Sequence, residues 1–153
     1  ALINKRIATA FESDSSGKAA IGHGYTYSGH PVGAAAALAA IAETRRLDVV
    51  TNAASGGTRL FEGMVSLAGQ YPLVGDVRGG RGLMTAMELV ADRETKAPID
   101  GKLAIKMQKA AYQAGTLIRV SGPNVILSPP LVIEEADIDI VLNAVEAGLK
   151  AIC

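Results

Sequence analysis

The chain has 153 residues, 49% of them hydrophobic, and its 15 basic and 15 acidic residues cancel to zero net charge. That length allows one domain, or one and a piece, and the lack of a basic excess argues against a nucleic-acid partner. The single cysteine, Cys153, leaves no internal disulfide framework and no cysteine metal site and fits a reducing cytoplasm, and no apolar run has the length of a membrane span.

The chain opens on Ala1-Leu2-Ile3 without an initiator methionine or signal-peptide pattern. It therefore reads as the interior of a longer protein. Ala1 to Ile3 reads as the end of a strand and Lys5 to Phe11 as a short helix. Glu12 to Lys18 is polar and glycine-broken, hence a loop. The stretch Gly22-His23-Gly24-Tyr25-Thr26-Tyr27-Ser28-Gly29-His30-Pro31 is the most distinctive in the chain. It lines a glycine-punctuated loop with hydroxyls and runs into a helix from Val32 to about Arg46. Proline suits a first helical turn, and a helix start offers free N–H groups and a positive dipole end to an anion. The same pattern also describes a capped turn with no ligand. Gly33, Ala34 to Ala37, Ala39, Ala40 and Ala42 give the helix a smooth surface.

Asp48 is placed to cap the next helix, with Val50, Ala53, Ala54, Gly57, Leu60, Phe61, Met64 and Leu67 near helical period and Gly69 as its end. Leu73 to Gly82 followed by Leu83 to Val90 predicts a short strand, a tight glycine turn and a longer strand. The Gly79-Gly80-Arg81-Gly82 run lacks the Lys-Ser/Thr of a phosphate loop and precedes a strand. Ala91 to Asp100 is a charged connection. Asp100 caps a helix through Ala114, with Leu103, Met107, Ala110, Ala111 and Ala114 buried. Gly115 ends it. Thr116 to Val120 and Val125 to Leu127 are strands around a turn at Ser121 to Asn124. Pro129-Pro130 leads to a last helix from about Glu134, with Ile138, Val141, Leu142, Val145, Leu149 and Ile152 inward. From Asp48 onward this order predicts an α+β layer, helices on one side of a small sheet.

Gly24 to Val32 resembles a motif of the class III (ω-type) aminotransferases, which use pyridoxal 5′-phosphate. Asp76-Val77-Arg78-Gly79-Gly80-Arg81-Gly82-Leu83-Met84 with Glu88-Leu89 resembles the small-domain hairpin of that family. Gly115 to Arg119, Gly122 and Asn124 to Leu131 resemble its last strand pair. The resemblance implies an α/β protein overall, a fold-type-I homodimer of which this chain is the C-terminal portion. Residues 1–46 would be the tail of the large cofactor domain with the bridging helix, and 47–153 the small α+β domain. Thr26 matches the threonine whose hydroxyl and backbone N–H hold the cofactor phosphate of the neighbouring subunit, and Tyr25 matches an aromatic at the same site. Arg119 matches a mobile arginine that pairs with a substrate carboxylate, a task its planar fork suits. The alternative for Arg119 is an edge-strand arginine pointing to solvent.

His30 has no expected chemical role beyond being satisfied at a helix start, His23 reads as a loop residue, and Arg78, Arg81 and Glu88 read as structural. No lysine here has the setting of the Schiff-base lysine, which the resemblance places upstream of Ala1, so no catalytic residue is expected in this chain. Ornithine-type relatives carry an arginine in the strand Val125 to Leu127, where this chain has Leu127. Arg119 on the preceding strand points instead to the β-alanine/taurine/amine:pyruvate branch, which moves an amino group from an ω-amino acid or amine to a keto acid. The alternatives are a non-catalytic binding module of the same descent, or an aminomutase or decarboxylase branch.

Overall fold

The computed structural model describes residues 3–19, 22 and 24–153. The strand expected at its start and the loop residue His23 fall on Ala1, Leu2 and His23, outside the described residues; Ile3 belongs to no strand. Two compact units result, residues 1–41 and 42–153.

In the first unit, Asn4 caps α1 (Lys5–Glu12) by accepting from the Arg6 amide at 2.8 Å. The polar loop that follows is closed by Asp14. Its carboxylate accepts from the Ser16 amide (3.0 Å) and hydroxyl (2.6 Å) and from the Ala19 amide (2.6 Å). These donors hold the Asp14 pKa down at about 2, the Ser16 hydroxyl contributing most. The central loop turns through residues 26–29 into α2 (Pro31–Arg46), as expected. Neither α1 nor α2 has a buried residue.

The second unit is a sheet with three helices packed on one face. α3 (Val49–Gln70) starts after Asp48, which adopts a left-handed conformation (φ 45°) and makes no side-chain cap. Its carboxylate instead accepts from the Thr51 hydroxyl at 3.0 Å. Gly69 does not end this helix. Tyr71 does, in an extended conformation (φ −116°), because Pro72 disfavours a helical residue before it. The Arg93 guanidinium covers orphan carbonyls there, donating to Ala68 and to Tyr71 at 3.0 Å, and it ties the helix end to the following strand by donating to Val74 at 2.8 Å. The buried stripe of α3 includes Val49 rather than Val50, with Gly56, Gly57, Leu60, Met64 and Leu67.

β1 (Val74–Arg78) pairs antiparallel with β2 (Thr85–Asp92). Their connection spans 79–84, longer than the tight turn expected, because Leu83 and Met84 do not join the strand. The supposed charged connection holds one more strand, β3 (Ala97–Pro98), on the end of β2. Proline is tolerated there because it sits at an edge. α4 (Gly101–Gln113) is capped by Asp100, which accepts from the Lys102 amide at 2.9 Å. It ends in a Schellman motif at Gly115 (φ 103°), with Gly115 N–H bonding Tyr112 and Thr116 N–H bonding Ala111. Its buried residues are Ala104, Met107 and Ala111; Leu103 and Ala110 are half-buried and Ala114 is exposed. β4 (Arg119–Ser121) is shorter than expected, and a Gly122-Pro123 turn leads to β5 (Asn124–Leu127). α5 (Glu135–Ile152) begins with a reciprocal capping box between Glu134 and Asp137.

The strand order is β1-β2-β5-β4, so β5 returns between β2 and β4. Met87, Leu89, Val125 and Leu127 join Leu60, Met64, Met107, Val145 and Leu149 in one core. Alternation then places Ala86, Glu88, Asn124, Ile126 and Arg119 on the face away from the helices. Among the described residues no helix is long and apolar enough to cross a membrane.

Candidate functional site

The central loop is held by its own backbone. Ser28 N–H donates to the Tyr25 carbonyl at 2.9 Å, and the Tyr25 N–H donates to the Ser28 hydroxyl at 3.3 Å. Glycine at 29, with φ 72°, completes the turn. His30 is satisfied at the helix start, as the sequence implied. Its Nδ1 accepts from the Gly33 N–H at 3.1 Å, which makes it the side-chain cap of α2. Pro31 has no N–H and Gly33's is used, so the helix start offers an anion less than expected. The loop itself offers more. Thr26 is exposed, and neither its amide nor its hydroxyl has a partner among the described residues. Two donors on one residue suit a phosphate oxygen. Tyr25 is 70% exposed beside it.

In the second unit, Arg119 begins edge strand β4, across from Ile126 of β5. It is exposed, and its guanidinium has no partner among the described residues. It lines a cavity of about 270 Å³ together with Met84, Leu117, Ile126, Ser128 and Pro129. The edge-strand position expected of a solvent arginine and the cavity expected of a ligand contact thus occur together.

Arg78 and Glu88 are structural, as read from the sequence. Arg78 donates to Asp76 (2.9 Å), Glu88 (3.3 Å) and Asn124 (2.7 Å), tying β1, β2 and β5 across the open sheet face. The bond to Asp76 raises the guanidinium pKa above its ordinary value, against partial desolvation. Arg81 departs from the expectation. It has no such partner among the described residues and lines a cavity of its own. Arg81 lies on the connection 79–84, outside β1 and β2, whose carboxylates Asp76 and Glu88 are taken by Arg78. Met84, which lines both cavities, was also missed, because its apolar character read as strand.

The class-III aminotransferase family model matches residues 1–149. The taurine–pyruvate aminotransferase of Bilophila wadsworthia is 38% identical over 134 residues, which cover 83% of this chain and 29% of that protein. The leucine/methionine racemase of Thermococcus litoralis is 36% identical over 130 residues, covering 84% of this chain and 29% of that one. A PLP-bound amine transaminase structure from an uncultivated Pseudomonas species superposes with a TM-score of 0.89 at 40% identity, over 97% of this chain and 34% of the other. The chain spans about a third of the length of the relatives it matches.

Proposed function

The chain belongs to the class III aminotransferases, and on that premise we propose that it is the phosphate- and carboxylate-contacting portion of an amine:pyruvate-type transaminase that acts in the cytoplasm as a homodimer. In this reading residues 1–46 complete the large cofactor domain and 47–153 form the small domain. The catalytic lysine is supplied by chain upstream of Ala1.

The residues present fit pyridoxal phosphate at one point, the free amide and hydroxyl of Thr26, with Tyr25 adjacent. When bound, the cofactor supplies the electron sink that lets an amino group leave one carbon and enter another. Thr26 would hold the cofactor phosphate of the neighbouring subunit through its amide and hydroxyl, donors that the turn from Tyr25 to Ser28 keeps in place. Arg119 binds the carboxylate of a keto acid or ω-amino acid and orients it. For a plain amine the guanidinium stays in solvent, which its exposed edge position permits. A homodimer is supported by α2, whose Val32, Leu38 and Ile41 are at least half exposed. Leu38 and Ile41, three residues apart, share one face of the helix, and exposed apolar surface of this kind is ordinarily covered.

The observation that carries the proposal is the unpaired Arg119 guanidinium at a cavity. An Arg119→Ala change in the complete enzyme is expected to lower kcat/KM for pyruvate and for ω-amino acids by roughly tenfold to a hundredfold, the size of a charged hydrogen bond. Its effect on a half-reaction with an uncharged amine is expected to be small. Equal loss on both substrate classes removes Arg119 from the site.

A further inference from the structure

α4 divides its residues between two faces. Ala104, Met107 and Ala111 are buried, whereas Lys102, Ile105, Lys106, Lys109 and Tyr112 are exposed. The exposed set recurs at spacings of three and four, so it forms one stripe down the outer side of the helix. Two depressions follow that stripe. One, of about 290 Å³, is lined by Lys102, Ile105, Lys106 and Lys109. The other, of about 380 Å³, includes Lys109 and Tyr112 in its lining. Lys109 belongs to both, which makes them successive parts of one shallow groove.

Charge along this stripe is unbalanced. The chain carries equal numbers of acidic and basic residues, yet α4 contains no acid. None of the three ammonium groups has a hydrogen-bond or ion-pair partner among the described residues. Asp100, at the N-cap, accepts from the Lys102 amide. By contrast Arg46, Arg59, Arg78 and Lys150 each lie beside a carboxylate. Like charges three and four residues apart destabilise a helix, and Lys102 sets a cation in the first turn, against the helix dipole. Nothing within α4 offsets this cost. The same stripe leaves Ile105 51% and Tyr112 65% exposed. Unpaired cations flanking exposed apolar side chains complement a surface that is acidic and apolar in the same pattern.

We propose that the outer face of α4 docks an acidic amphipathic helix of another protein, its carboxylates meeting Lys102, Lys106 and Lys109 and its apolar stripe lying over Ile105 and Tyr112. Ile105 and Tyr112 are seven residues apart, about 10 Å along the axis. That separation matches apolar residues at i and i+7 on an opposing helix. A lipid surface fits less well. A helix lying in a bilayer interface needs a broad apolar face, and Ala104, Met107 and Ala111 of α4 are already buried in the core. The docking surface is independent of the roles of Thr26 and Arg119.

The test uses the complete, cofactor-loaded protein and a fluorescein-labelled, stapled synthetic helix with leucines at i, i+4 and i+7 and glutamates between them. A scrambled peptide of the same composition is the control. Fluorescence anisotropy at low salt should show the patterned helix binding roughly tenfold tighter than the scrambled one, with affinity falling as salt is added. A Lys106→Glu, Lys109→Glu double variant should lose that binding and keep its transaminase activity. A synthetic helix with lysines in place of the glutamates should bind this variant instead. Tyr112→Ala should weaken binding and leave its salt dependence. Equal binding of patterned and scrambled helices, or full binding by the charge-reversed variant, overturns the proposal. So does a protein that ignores the helix but binds vesicles of phosphatidylserine and phosphatidylcholine, which would make the stripe a lipid contact. Amine-directed acetylation mapped by mass spectrometry checks access. Lys106 and Lys109 should react in the complete protein, and resistance of both would show that other parts of that protein cover α4, which also overturns the proposal.

Discussion

His30 shows how a polar residue in a conspicuous motif can be structural in its own unit. Its ring nitrogen does the work that serine or aspartate does at other helix starts. Thr26, five residues from α2, keeps both donors open because the turn is closed by Tyr25 and Ser28 instead. Asp14 is a further local device, invisible as such in a polar loop. With its pKa lowered from 3.8 to about 2, it prefers the charged form when folded. Its contribution to the loop is therefore full above its unfolded value and is lost as pH falls through about 2. A carbon-detected NMR titration of the Asp14 carboxyl should give a midpoint near 2. Asp14→Asn should speed amide exchange at Ser16 and Ala19. A midpoint at the ordinary aspartate value would mean the loop bonds do not persist in solution.

Contacts between elements depend on glycines whose reason is spatial. Gly57 lets the backbone of residues 79–84 lie against α3. Gly148 of α5 similarly lets the Met107 carbonyl of α4 approach, since a Cβ there would be 2.9 Å from that oxygen. Helical period marked Gly57 as small and inward but could not say what it touches. A Gly57→Ala change gains helix propensity of up to about 1 kcal/mol, yet forces backbone apart, and overpacking of this kind costs typically 1–3 kcal/mol. The expected balance is a net loss of about 1–2 kcal/mol in urea unfolding, with Gly69→Ala, which meets nothing within 4 Å, as the neutral or stabilising control. A Gly57→Ala protein as stable as its parent would show that residues 79–84 move freely. The helix ends teach the same lesson. Asp100 capped as its sequence position implied, whereas Asp48 did not, because its left-handed backbone turns the side chain away from the first amides.

Across the molecule, burial is uneven. Every buried hydrophobic residue that the structure describes lies at Val49 or later. An eight-residue helix such as α1 is marginal in water without packing, and α2, though alanine-rich, buries nothing. Hydrogen exchange on the 153-residue chain should therefore find slow amides in β2, β5, α4 and α5 and near-unprotected ones in α1 and α2. In the complete protein α2 should become protected. Protection of α2 equal to that of α5 in this chain alone would contradict the view that it awaits a partner. Sequence by itself determined the parts whose causes are local: the helical and strand periods, the turns at Gly115 and Gly122, the Asp100 cap, the core stripe of α5 and the family motifs around Thr26 and Arg119. Tertiary structure alone decided that β5 lies between β2 and β4, that Arg78 pairs while Arg81 does not, and that the cavities lined by Arg119 and by Arg81 share Met84, Ser128 and Pro129. Those outcomes depend on strand order and close backbone approach between residues far apart in the chain, and no local pattern carries that information.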